Sequence, residues 1–156
     1  MDFRKANSSD VPALMQFRKQ QLLEEGLPPG TDPAVTIDGE LTEYFTSGLA
    51  DGSFIAWLAA DQEAVIASSG LCFYQLPPTF HNPTGKVAYI TNMYTLPAYR
   101  KQGIASRLFE LLLDEARARE YSIVRLHASK DGRNIYAKAG FTDSDGYMTM
   151  RLKGNR

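Results

Sequence analysis

Between Val87 and Ala105 the chain changes from one kind of element to another, and that change limits the folds open to it. Val87-Ala88-Tyr89-Ile90-Thr91-Asn92-Met93-Tyr94-Thr95 is rich in β-branched and aromatic residues and reads as a strand. Beyond Pro97, Ile104, Leu108, Leu111 and Leu112 recur at helical spacing. The segment between them, Tyr99-Arg100-Lys101-Gln102-Gly103-Ile104-Ala105, is a basic, glycine-containing turn that opens the helix. The first N–H groups of a helix have no internal partners, and the helix dipole adds positive potential there. Such a turn suits an anion. Gly103 lets the backbone approach a bulky diphosphate, Ala105 keeps the first turn slim, and Arg100 and Lys101 add charge.

Arg100-x-x-Gly103-x-Ala105 resembles the acetyl-coenzyme A pyrophosphate loop of the GCN5-related N-acetyltransferases (the GNAT family), whose pattern is Arg/Gln-x-x-Gly-x-Gly/Ala. A second block, Ser129-Lys130-Asp131-Gly132-Arg133-Asn134-Ile135-Tyr136-Ala137-Lys138-Ala139-Gly140-Phe141, is similar to the family's later helix, which carries a Tyr and ends in Gly-Phe. The blocks come in the family's order, with the strand-like run Ser122 to His127 between them. Phe3-Arg4-Lys5-Ala6, followed by a capped helix, also looks like the family's start.

At 156 residues, with 44% apolar residues, the chain has the size of one domain with a sizeable core. No linker, repeat or low-complexity stretch divides residues 1–156. The net charge of −1 gives no reason to expect a nucleic-acid partner. The one cysteine, Cys72, excludes a disulfide within the chain and reads as a small buried apolar residue. The charged start Met1 to Lys5 lacks a signal-peptide stretch, and the apolar run Phe54 to Ala60 is too short to span a bilayer. A cytoplasmic protein with no membrane partner is the expectation. His81 and His127 have no ligand spacing around them, so no metal is expected.

Along the chain, Asp2 to Ala6 reads as a strand, followed by a helix to about Glu25 with cap candidates Ser8, Ser9 and Asp10. The Pro- and Gly-rich stretch Gly26 to Pro33 breaks it. A second helix runs from about Asp38 to Leu49, closed by Gly48 or Asp51-Gly52. Strands follow at Ser53 to Ala60, Ala64 to Tyr74 and Lys86 to Leu96, with a hairpin turn at Asp61-Gln62-Glu63 and a Pro-rich loop from Leu76 to Gly85. Then come a helix from about Gln102 to Arg119, a strand at Ser122 to His127 and a helix at Asp131 to Ala139. Phe141 to Thr142 and Tyr147 to Leu152 read as closing strands around Asp143-Ser144-Asp145-Gly146. The order β-α-α-β-β-β-α-β-α-β is that of the GNAT family. The resemblance implies an α/β fold: a mixed, mostly antiparallel central sheet with helices on both faces, forming a single acetyltransferase domain.

The resemblance implies acetyl-CoA as cosubstrate and assigns residues to it. The backbone around Met93 and Tyr94 would meet the thioester carbonyl, and Thr95 would pair with the pantetheine amides. Arg100, Lys101, Gln102, Gly103, Ile104, Ala105 and Ser106 would hold the pyrophosphate. Tyr136 falls where the family often has its general acid, and a phenol can donate to a departing thiolate. Ser129 stands where the family often has Asn, and could bond the pantetheine arm with shorter reach. Many members carry a Glu base on the fourth strand, and its equivalent here is Thr91, a poor base near neutral pH. Deprotonation would then run through water, through an acid such as Glu40 or Glu43, or through bulk solvent; His127 is a further base candidate.

The expected activity is N-acetylation of a primary amine on a small molecule or peptide, by direct attack in a ternary complex. The alternatives are a non-catalytic acyl-CoA-binding or sensing module, which the missing Glu suggests, and a protein lysine acetyltransferase. The acidic segment from Glu24 to Glu43 and the loop Leu76 to Gly85, with Phe80 and His81, are candidate walls of the acceptor site. That loop is also a candidate oligomer contact, and a homodimer is possible.

Overall fold

In the computed structural model, which describes residues 1–32, 35–144 and 146–152, the expected elements come in the expected order as far as the last helix. They are β1 (Asp2–Lys5), α1 (Val11–Glu25), α2 (Asp38–Asp51), β2 (Phe54–Asp61), β3 (Ala64–Gln75), β4 (Lys86–Thr95), α3 (Ile104–Ala118), β5 (Val124–Leu126) and α4 (Arg133–Lys138). Short 3₁₀ turns precede α1 at Ser8–Asp10 and α3 at Pro97–Tyr99.

The five strands form one sheet in the order β1-β2-β3-β4-β5. β1 to β4 pair antiparallel, and β5 lies parallel to β4, with Ala88 opposite Val124 and Ile90 opposite Leu126. The β2–β3 hairpin turns through Gln62 (φ 48°) and Glu63 (φ 73°), and two successive positive φ values match the twist of the flanking strands.

Helices cover both faces, as the resemblance implies. α3 lays Leu108, Phe109, Leu112 and Ala116 on one face of the sheet, against Ile55, Leu71, Ala88 and Ile90 and, nearer the helix start, Ala59 and Ile66. α1 and α2 cover the other face, with Val11, Leu14 and Phe45 on Phe54, Ala56 and Leu58. β2 is therefore buried on both sides, which explains why Phe54 to Ala60 is continuously apolar rather than alternating. Leu14, Leu58, Leu71, Leu108 and Leu112 are completely buried, and each contributes about 1.5–3 kcal/mol on that account.

Two local expectations are corrected, and one choice between two alternatives is decided. Asp10 stands at the N-cap of α1 as expected but makes no side-chain cap bond to it, and the capping side chain is not Ser8 or Ser9 but Asn7, on the preceding 3₁₀ turn. Its side-chain oxygen accepts the Ser9 N–H at 2.9 Å, while the Asp10 carboxylate accepts the Asn7 N–H at 2.8 Å. α2 is closed by Gly52 in the left-handed region (φ 79°), and Gly48 lies inside the helix. Finally, the closing strands do not form among the described residues, so the last β of the expected order is absent. β5 has only three residues, which gives a closing strand a short edge to pair with. Tyr147, Met148, Met150 and Leu152 are exposed. Pro33 of the first loop and Asp145 of the last turn lie outside the described residues.

Candidate functional site

β4 does not stay paired along its length, and the site follows from that. Its register with β3 slips: Ser68 faces Tyr94 but Gly70 faces Thr91, so Asn92 and Met93 together oppose the single Ser69. Asn92 takes the positive φ (59°) of this bulge, a conformation that Asn tolerates better than most residues. The bulge is fastened from both sides. The Ser68 hydroxyl donates to the Asn92 carbonyl at 2.8 Å, and the Asn92 amide reaches the Leu14 carbonyl of α1 at 3.4 Å. β5 pairs only with Ala88 to Ile90. From Thr91 onward the β5 side of β4 has no strand partner among the described residues, and the two parallel strands part.

A cavity of about 290 Å³ sits at this fork. Four of the residues singled out from sequence meet there: Thr91 and Met93 from β4, Ser129 from the loop after β5, and Tyr136 from α4. His127 lies on the same wall. The opposite wall is α1, through Arg18, Gln21, Leu22 and Glu25. Sequence reading missed Arg18 and took Glu25 only as part of an acidic stretch. Their signal was present, because Leu14, Arg18, Gln21 and Glu25 fall at helical spacing, so the core face of α1 becomes polar in its last two turns.

Tyr136 is half-buried against Phe109, with ring centroids 5.5 Å apart. Burial pushes its phenol above the ordinary tyrosine range, and the Glu25 carboxylate pushes it the same way. Ser129 stabilises the turn into α4, where its hydroxyl accepts the Gly132 N–H at 3.2 Å. The Thr91 hydroxyl accepts from Arg18 Nη1 at 3.4 Å.

Away from the cavity, β4 leads to the start of α3. Tyr94 turns inward, stacks on Phe17 at 5.4 Å and donates its hydroxyl to Glu24 at 2.9 Å. Arg100 donates through Nε to the Thr95 carbonyl at 2.9 Å and through Nη2 to Glu24 at 2.8 Å. Lys101 (φ 61°) and Gly103 (φ 80°) both adopt the left-handed region, and Gly103 stands at the N-cap with no side-chain cap. The first bond of the turn runs from the Arg107 N–H to the Gly103 carbonyl, so the N–H groups of Ile104, Ala105 and Ser106 lack helical acceptors. Ile104 is buried in the core, whereas Lys101, Gln102, Gly103 and Ser106 are exposed. A Cβ at Gly103 would have nothing within 4 Å, so open space lies over the turn. Uncapped donors, a helix dipole, two basic side chains and a bare backbone fit the diphosphate of coenzyme A.

Several candidates lie elsewhere. Glu40 and Glu43 stand on α2, outside the cavity, as does the loop 76–85, which hydrogen-bonds to itself and carries a fully exposed Phe80. Of the acidic segment, only Glu25 lines the cavity; Glu24 pairs with Arg100 and Asp38 with Lys19. Cys72 is half-buried on β3, and burial pushes its thiol up, away from nucleophilic use. Among the described residues no cluster of three or more His, Cys, Asp or Glu could hold a metal, and no helix is long and apolar enough to cross a membrane.

The fork between β4 and β5 and the uncapped start of α3 thus lie along one strand. The chain belongs to the acetyltransferase (GNAT) family, whose model matches residues 16–141. It is 41% identical to a predicted acetyltransferase from Clostridium acetobutylicum solved with acetyl-CoA, with a TM-score of 0.88 over 97% of this chain and 96% of that one. A GCN5-related N-acetyltransferase from Ralstonia eutropha superposes equally well (TM-score 0.88) at 27% identity, over 98% of this chain and 99% of the other. Thialysine N-ε-acetyltransferase from Mus musculus is 26% identical over 99 residues, which is 60% of this chain. The chain spans 56% of the length of that relative.

Proposed function

We propose that this protein moves an acetyl group from acetyl-CoA to a primary amine of a small molecule or peptide, by direct attack within a ternary complex. The observation that carries this reading is the meeting of Thr91, Met93, Ser129 and Tyr136 at the fork, on the strand that leads to the uncapped start of α3. The pyrophosphate would lie on residues 100–106. The unpaired edge of β4 at Met93, Tyr94 and Thr95 would take the pantetheine arm as an added strand. The neutral amine attacks the thioester carbonyl, and an N–H donor on that edge stabilises the developing oxyanion. As the C–S bond breaks, the sulfur takes the Tyr136 proton. The nitrogen loses its proton to water in the cleft, where Glu25 is the carboxylate on the wall. Thr91, whose hydroxyl is held by Arg18, orients rather than deprotonates.

The similarity to a protein solved with acetyl-CoA supports the cosubstrate, and the similarity to a thialysine N-ε-acetyltransferase supports a small amine as acceptor. The test is acetyl-CoA binding by calorimetry, followed by acceptor-dependent thiol release with a panel of amines. Binding with turnover supports the reading. Tight binding with no acceptor-dependent release from folded protein would make the chain a coenzyme-binding module instead.

A further inference from the structure

Strand register sets a row of side chains across the sheet on the side of α1 and α2. Ala88 and Ile90 of β4, and Val124 and Leu126 of β5, pack in the core under α3. Tyr89 and Arg125, which lie between them, therefore point the other way. Tyr89 stands opposite Arg125 on one side and Cys72 on the other, and Cys72 stands opposite Phe54. α2 covers the Phe54 end of this row, with the Tyr44 ring 5.6 Å from that of Phe54. At the other end Tyr89 and Arg125 are half-buried. So is Tyr74, two residues along β3 from Cys72 and on the same side. Tyr89 also lines the cavity, whereas Tyr74 and Arg125 do not. The cavity thus continues onto a half-exposed sheet face.

Two arginines flank Tyr89, and their hydrogen bonds go to neutral oxygens. Arg18 reaches from α1 to Gln21 Oε1 at 3.2 Å and to Thr91 Oγ1 at 3.4 Å. Arg125 donates through Nη1 to the Tyr147 hydroxyl at 2.7 Å. Among the described residues no carboxylate pairs with either, whereas Arg4, Arg100 and Arg133 each have one. Both are half-buried, and a partly desolvated guanidinium without an anion favours a carboxylate partner. Thr91 and Tyr89 are two residues apart on one side of β4, about 7 Å, so the two arginines serve one stretch of sheet. Inside the cavity the balance differs, because Glu25 is the only carboxylate among its lining residues. It suits an incoming ammonium.

We infer that the acceptor is an acidic peptide whose N-terminal amine enters the cavity and whose chain leaves over Tyr89, with carboxylates of its second to fourth residues on Arg18 and Arg125. This rests on the transferase reading above and chooses between its two kinds of acceptor. The cavity alone would suit a small amine, but a small amine leaves the face beyond Tyr89 unused. Sites for small molecules are concave, whereas an open face beside a cavity lets a chain run on into solvent. The lengths agree. Met93, at the thioester end in that reading, is four residues from Tyr89, about 13 Å along the strand. An extended peptide advances about 3.3–3.6 Å per residue, which brings its second to fourth residues past Thr91 and Tyr89. The rings of Tyr89 and Tyr74 give it an apolar floor with hydroxyls at the edge.

The test uses the whole chain with acetyl-CoA and three peptide amides of one length, Ala-Glu-Glu-Glu-Gly, Ala-Gln-Gln-Gln-Gly and Ala-Arg-Arg-Arg-Gly, with hexylamine as the small-amine control. The acidic peptide is expected to exceed its glutamine counterpart in kcat/KM by about tenfold, the size of one charge-assisted contact, chiefly through KM. Added salt should shrink that difference. Arg125→Gln should remove most of it at unchanged acetyl-CoA affinity, and Arg125→Glu should turn the preference toward the arginine peptide. Equal kcat/KM for the acidic and glutamine peptides would overturn the inference. So would a preference that Arg125→Gln leaves intact in folded protein. Should Arg125→Gln not fold, the wild-type comparison and Arg18→Gln decide the matter. Acetylation of hexylamine but of no peptide sinks this inference alone and leaves the transferase reading standing. If acetyl-CoA binds but neither hexylamine nor any peptide is acetylated, the transferase reading falls and this inference falls with it.

Discussion

Glu24 and Arg100 are 76 residues apart in sequence and meet at 2.8 Å, tying the end of α1 to the turn that opens α3. Tyr94 completes the tie with its hydroxyl on the other oxygen of Glu24. The Tyr94 hydrogen bond and then Arg100 hold the Glu24 carboxyl below its usual range. The next residue, Glu25, lines the cavity, so adjacent carboxylates differ in setting: Glu24 anchors the helix and Glu25 faces the cavity. Both partners of the Glu24–Arg100 pair are 43% exposed in their side chains, and such a pair is worth under about 1 kcal/mol. Glu24→Gln is therefore expected to fold normally. It leaves Arg100 less neutralised, so acetyl-CoA binds as tightly or up to about threefold more tightly. The acceptor KM rises several-fold, because the end of α1 loosens. Calorimetry and steady-state kinetics check the two halves separately. Weaker coenzyme binding would show that Glu24 instead holds Arg100 in its binding pose.

Two glycines with positive φ should behave in opposite ways. At Gly103 (φ 80°) a Cβ meets nothing within 4 Å, so Gly103→Ala costs only the backbone strain, about 1–2 kcal/mol. The methyl group would occupy the space over the turn, and acetyl-CoA affinity should fall about tenfold or more. At Gly85 (φ 70°) a Cβ would lie 1.9 Å from the Leu76 carbonyl oxygen, backbone that cannot yield cheaply. Gly85→Ala should cost more than about 2 kcal/mol and leave coenzyme affinity unchanged. Thermal unfolding with coenzyme titration separates the two. An equal loss of affinity in both variants would detach Gly103 from the diphosphate.

The sequence made the strand-turn-helix unit legible because the hydrophobic period changes there, from the strand-like run Val87 to Thr95 to helical spacing beyond Ile104. Tyr136 was legible through its spacing to Gly140-Phe141. The bulge was not, because a positive φ at Asn92 depends on how β3 and α1 hold it, through Ser68 and Leu14. Nor was Arg18. A polar residue late in an amphipathic helix looks like a solvated face until the opposing strand is seen to part. The closing strands failed for a related reason: an alternating pattern such as Tyr147 to Leu152 specifies a strand only if an edge is available.

Asp10 gives the fold a measurable dependence on acid. It is buried, receives both arms of the Arg4 guanidinium at 2.8 Å and accepts the Asn7 N–H. Its carboxyl is held below the ordinary range, the Arg4 hydrogen bond being the largest cause. A depressed folded-state pKa contributes stability that is whole above the unfolded value of about 4 and is lost as the pH falls through the lower folded value. Asp10→Asn is expected to cost about 2–3 kcal/mol at neutral pH. It should also flatten the decline in stability between about pH 5 and pH 2. Urea unfolding across that range checks both. A variant whose stability keeps the wild-type acid slope would place the titration elsewhere.

Tyr136 should show itself in kcat rather than in binding. Tyr136→Phe keeps the ring that packs on Phe109 and Phe141 and removes only the hydroxyl, and with it the proton. Acetyl-CoA affinity should stay within about twofold, while kcat falls about 10²-fold, the usual range for a lost general acid. The pH dependence follows from the direction of the shift. The phenol works while protonated, and burial followed by Glu25 raises its pKa above the ordinary value. The wild-type kcat should therefore show no downward limb below about pH 10. Glu25→Gln removes one of the two upward pushes, so the limb should move to lower pH in that variant. A wild-type kcat that falls between about pH 8 and 9 would assign the titration to another group, and an unchanged kcat in Tyr136→Phe would remove the phenol from the chemistry.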